Sequence, residues 1–124
     1  MPLKVKKDEV EKFIEDFYSK LKVFDIIFEN RDKNNQALFD LDITPLKRFE
    51  YINKLKPENY LSGPNQDTND PTRPNYWEFG IKVKNTEVYI KINIGFVNKP
   101  VICISFHIAE RKISYPFKSK KNNR

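Results

Sequence analysis

One histidine, one cysteine, one methionine, one tryptophan and three glycines in 124 residues leave this chain few routes to chemistry. A single cysteine, Cys103, closes no internal disulfide, which fits a reducing, cytoplasmic setting. Cys103 and His107 together cannot make a structural zinc site, and on a strand their spacing is about 13 Å, too far for a catalytic dyad. Ser105 and His107 would stand about 6.7 Å apart on the same strand, and no acidic partner for a serine hydrolase follows nearby. The glycines fall in no phosphate-loop or dinucleotide pattern, so neither a nucleotide cofactor nor a metal is expected. No apolar run nears the roughly 20 residues of a membrane span, and no signal-peptide core opens the chain. A cytoplasmic protein with no membrane partner is the expectation.

Apolar residues make up 39% and aromatics 14%, enough for one packed core, while 32% charged residues imply a heavily solvated surface. The length suits a single domain, expected over 1–117. The net charge of +6 points toward nucleic acid only in part, because Lys118, Lys120, Lys121 and Arg124 cluster at the end. Residues 118–124 read as a basic, mobile tail.

The densest pattern lies in residues 77–107. Trp77, Phe79, Ile81 and Val83, then Val88, Ile90, Ile92 and Ile94, then Ile102, Ile104 and Phe106 put a large hydrophobe at every second position. That is the period of a strand buried on one face, and three such runs with short turns predict an antiparallel meander. Facing outward would be Glu78, Gly80, Lys82 and Lys84, then Tyr89, Lys91 and Asn93, then Cys103, Ser105 and His107. A two-residue loop at Asn85 and Thr86 would pair Lys82 with Tyr89. The second turn allows registers in steps of two, since a one-residue slip would turn the apolar set outward. His107 then stands opposite Tyr89 in one register and opposite Lys91 in the next, with opposed Cβ atoms about 5 Å apart.

Upstream, Val10, Phe13, Ile14, Phe17, Tyr18 and Leu21 form a helical stripe, with Asp8 and Glu11 resembling a capping box. Phe24, Ile26 and Phe28 suggest a strand. A polar run over 30–35 and a short helix over 36–40 follow. Thr44 and Pro45 read as cap and first residue of another helix, with Leu46, Phe49, Ile52 and Leu55 as its buried stripe and Pro57 as its stop. Residues 60–76 carry loop chemistry throughout, and a loop so long is either functional or disordered. Ile113, Tyr115 and Phe117 offer an edge strand or a packed extension. The predicted fold class is α+β: an antiparallel sheet of one N-terminal strand and the C-terminal meander, with the N-terminal helices on one face and the other face open.

An open face bearing Glu78, Lys82, Tyr89, Lys91 and His107 has the groups that metal-free RNA cleavage needs: a base for the 2′-hydroxyl, an acid for the leaving oxygen and cations for the phosphorane. Taken alone, an outward Tyr, Lys and His on a strand are ordinary surface residues. The motifs add weight. PENYLSGP from Pro57, then YWEFG, EVYIKI and ICISFHIAE, resemble in order and spacing the toxin family named for the motility quorum-sensing regulator, whose members are RelE-like mRNA interferases of type II toxin-antitoxin systems. The match covers residues 52–110, with a similar helix, strand, helix order upstream.

The resemblance implies a RelE-like domain acting as an endoribonuclease on mRNA, free or on the ribosome, and neutralised by a cognate antitoxin that occludes the open face. Tyr89 occupies the position of a family tyrosine implicated in activity, and Lys91 follows it. A family lysine after SF is His107 here, which retains a cation and adds a base. The glutamine after the tryptophan becomes Glu78, and another family lysine is replaced by Leu61. The implied site is His107 as general acid or base beside Tyr89, Glu78 as base or orienter of His107, and Lys91 and Lys82 on the phosphorane. Arg73 is the further phosphate-binding candidate, if its loop folds over the sheet. The alternatives are a non-catalytic module holding RNA or protein on this face, and a structural or regulatory subunit.

Overall fold

The computed structural model describes residues 5–118. Its first helix, α1 (Lys7–Phe24), buries Val10, Phe13, Ile14, Phe17 and Leu21, the stripe expected from their spacing. The cap sits two residues upstream of the expected pair: the Glu9 carboxylate accepts the Lys6 backbone N–H at 2.8 Å. After β1 (Ile26–Phe28) come α2 (Asp32–Leu41) and α3 (Pro45–Ile52). Thr44 Oγ1 accepts the Lys47 N–H at 3.1 Å, and Pro45 takes the first helical turn, where no backbone donor is needed. Leu46 departs from the expected stripe and is 67% exposed. Arg48 turns inward instead, its guanidinium 3.8 Å above the Phe28 ring.

A 3-10 turn at Pro57–Asn59 leads into β2 (Tyr60–Asn65), followed by β3 (Tyr76–Val83), β4 (Thr86–Asn93) and β5 (Val101–Ile108). The five strands form one sheet in the order β1-β5-β4-β3-β2. Its inner face presents Phe79, Val83, Val88, Ile90, Ile92 and Phe106 to the helices, all fully buried. Phe13 of α1 stacks on Trp77 with ring centroids 4.5 Å apart, and on Phe79 at 6.0 Å.

The sheet is mixed, whereas the sequence pattern predicted an antiparallel one. β1 pairs in parallel with β5, Ile27 beside Ile102, and apolar alternation carries no information about strand direction. β2 lies inside the segment read as loop. Register shifts on either side of Ser62 erase its period, and Ser62 pairs with Glu78.

The β3–β4 turn is Lys84-Asn85, both with positive φ, so Val83 pairs with Thr86 and Gly80, not Lys82, faces Tyr89. The expected Asn-Thr loop would have asked β-branched Thr86 for a left-handed conformation that it resists. In β5 the register slips between the pairs Lys91–Ser105 and Ile92–Cys103. This bulge turns Cys103 into the core, 1% exposed, instead of outward.

Two segments cross the open face. The loop 66–75 spans from β3 toward β1: the Asn93 side chain donates to Pro74 O at 2.7 Å, and Arg73 reaches Glu29, just past β1, at 3.2 Å. At the other end a strap, residues 109–118, returns from β5 across β4 and β3 to β2. Ala109 N–H donates to Glu87 O at 2.9 Å, Tyr115 donates to the Glu87 carboxylate at 3.0 Å, and Phe117 packs against Tyr60 with centroids 5.3 Å apart. This is the packed extension, not an edge strand. Gly80 makes room for it, since a Cβ there would stand 2.9 Å from the Tyr115 hydroxyl oxygen. Of the basic tail expected over 118–124, all but Lys118 lies outside the described residues.

Candidate active site

Beside the strap the open face holds a cleft of about 460 Å³ whose lining includes Ser62, Glu78, Tyr89, His107, Arg111 and Lys112. Strand pairing assembles its floor. Tyr89 lies directly across from His107, one of the two registers anticipated, and their rings are 5.3 Å apart. Glu78 on β3 is diagonal to Tyr89 and takes its hydroxyl hydrogen on Oε2, while Oε1 accepts from Ser62 Oγ. Ser62 in turn accepts from Asn65 Nδ2 at 3.0 Å, so a chain of hydrogen bonds runs from β2 to Tyr89.

This chain fixes what each group can do. Both Glu78 oxygens are engaged by hydroxyl donors, neither by His107, so Glu78 acts on the imidazole only through the Tyr89 ring. Burial first, then the hydrogen bond to Glu78, push the Tyr89 phenol above its ordinary value of 10.0, which keeps it protonated and rules it out as a base near neutrality. His107 Nδ1 lies 3.1 Å from Ile108 O. A carbonyl only accepts, so in this contact Nδ1 carries the hydrogen and the neutral ring keeps its lone pair on Nε2. Burial pushes the Cys103 thiol up to about 12, which keeps it from acting as a thiolate nucleophile.

Three expected cations stand apart from this cluster. Lys91 faces Glu78 across the strand pair, yet its ammonium rests over the Tyr76 ring, 4.1 Å from the centroid. Lys82 pairs with Glu87 and is separated from Tyr89 by Gly80 and the strap above it; it borders a different hollow, beside Tyr51 and Lys54. Arg73 does fold over the sheet, but it is spent on structure. It meets Glu29 at 3.2 Å and Asp67 and Asp70 at 3.4 Å each, with its side chain 21% exposed.

Residues missed by the sequence pattern are Ser62, hidden in an irregular strand, and Arg111 and Lys112. No period marks that pair, and only the path of the strap brings it to the cleft. Among the described residues no cluster of His, Cys, Asp and Glu forms a potential metal site, and no helix is long and apolar enough to cross a membrane. Set against family models, curated proteins and solved structures, the chain matches none.

Proposed function

We propose that the protein is a RelE-like endoribonuclease, the toxin of a type II toxin-antitoxin system, which cleaves mRNA without a metal through attack of a 2′-hydroxyl. The observation that carries this reading is His107 lining an open cleft beside Tyr89, with Nδ1 taken by Ile108 O and no hydrogen bond to Nε2 among the described residues. His107 Nε2 takes the 2′-hydroxyl proton, the 2′-oxygen attacks phosphorus, and the 5′-oxygen departs, protonated by solvent that the open cleft admits. Tyr89 packs on the imidazole and Glu78 anchors Tyr89, so both are positioning residues. Lys91, its ammonium held over Tyr76, stands outside this step. A cognate antitoxin neutralises the toxin by covering the cleft.

The test is incubation of the purified chain with single-stranded mRNA in chelator, first alone and then with translating ribosomes. Strand scission in either setting is the expected result. RNA binding without scission in both would assign a non-catalytic module to the same face, and absence of binding as well would remove RNA from the reading.

A further inference from the structure

We infer that Arg111 and Lys112 form the phosphate-binding rim of the cleft and hold the backbone of single-stranded RNA against His107. The inference rests on the RNA reading of the cleft and adds residues that neither the strand pattern nor the family motifs supply.

Three observations converge on these two side chains. First, the strap that carries them is fastened on both sides. Ala109 donates to Glu87 O before them, and after them Tyr115 donates to the Glu87 carboxylate at 3.0 Å, Ile113 and Tyr115 settle over Gly80, and Phe117 packs on Tyr60. The rim is therefore part of the fold. Second, both residues are exposed and line the same cleft as Glu78, Tyr89 and His107, while making no ion pair among the described residues. Third, the neighbouring carboxylate is paired elsewhere: Glu110 is bound by Lys33 of α2 at 2.5 Å, and that contact first, with His107 and Arg111 adding to it, holds its carboxyl below the ordinary value of 4.5. The rim thus presents two positive charges that form no ion pair among the described residues.

This fills the gap left by the cations expected from sequence. Arg73 is committed to three carboxylates, Lys82 lies beyond the strap, and the Lys91 ammonium is stacked on Tyr76. Arg111 supplies a planar fork suited to two phosphate oxygens, and Lys112 a point charge.

The experiment measures binding of a 2′-O-methyl single-stranded oligonucleotide, which cannot undergo the cleavage reaction, by fluorescence anisotropy between 50 and 200 mM salt. Each phosphate contact on a single strand contributes a slope of about −0.7 to log affinity against log salt, so Arg111→Ala/Lys112→Ala should flatten the slope by about 1.4 and weaken binding at least about tenfold. Lys7→Ala/Lys22→Ala, which removes two exposed charges from α1, should bind like the unaltered protein, and His107→Ala should keep the full slope. Unaltered slope and affinity in the Arg111/Lys112 variant, with the parent protein binding well, would overturn the rim and leave the His107 reading standing. An equal loss in the Lys7/Lys22 variant would also overturn it, reducing the effect to net charge. If the parent protein does not bind the oligonucleotide at all, the rim falls together with the RNA reading.

Discussion

His107→Ala is expected to lower the rate of RNA cleavage by about 10²–10⁴-fold, the range lost when a positioned general base is removed. The effect should fall on the chemical step, with binding of a non-cleavable oligonucleotide retained, because the phosphates are held by other side chains. His107 is only partly buried and, among the described residues, its side chain hydrogen-bonds only with its neighbour's carbonyl, so the fold should survive the change. The protonation state of Tyr89 adds a second readout. A phenol held above its ordinary value of 10.0 by burial and by Glu78 gives up no proton as pH rises toward 10, so the pH–rate profile should show no rising limb from a phenolate there. A variant that cleaves within about threefold of the parent would remove His107 from the mechanism. A rate that climbs steeply near pH 10 and loses the climb in Tyr89→Phe would hand the base role to Tyr89.

Asn34→Ala is expected to lower stability by about 2 kcal/mol, since it strands two buried backbone groups, Ile104 O and Phe106 N–H, at about 1 kcal/mol or more each. Asn34 is 1% exposed. Its Nδ2 donates to Glu29 O and Ile104 O, both at 3.0 Å, and its Oδ1 accepts the Phe106 N–H at 3.0 Å. β1 stops at Phe28, pairing with β5 only as far as Cys103. Beyond that point one side-chain amide replaces the missing strand, sealing the β5 edge against α2 and holding the segment that ends in His107. Urea unfolding should show a lower midpoint with unchanged slope, and a loss under about 1 kcal/mol would mean that water replaces the amide at no cost.

These two residues mark the boundary of what the sequence makes legible. Strand parity is written in the apolar alternation, and parity alone puts Glu78, Tyr89 and His107 on one face. Asn34 sits in a polar run, and nothing in 30–35 distinguishes an amide that completes a sheet edge from one that faces water. The α1 stripe and the Thr44-Pro45 cap were equally plain, since both are local signals.

What failed was non-local or irregular. The parallel pairing of β1 depends on where the chain returns. The bulge that buries Cys103 costs one residue of phase, and β2 loses its alternation to register shifts around Ser62. The candidate site divides the same way. Its floor follows from period two, whereas its rim at Arg111 and Lys112 depends on a strap whose course is set by the absence of a side chain at Gly80.

The most direct test of 2′-hydroxyl attack compares an RNA with the same sequence carrying a single 2′-deoxynucleotide at the cut position, both incubated in chelator under the conditions in which the parent chain cleaves. The expected result is a 2′,3′-cyclic phosphate on the all-ribose fragment and no cut at the deoxy position, with equal binding of both strands. Cleavage of the deoxy strand, or fragments ending in a 3′-hydroxyl and a 5′-phosphate, would contradict it.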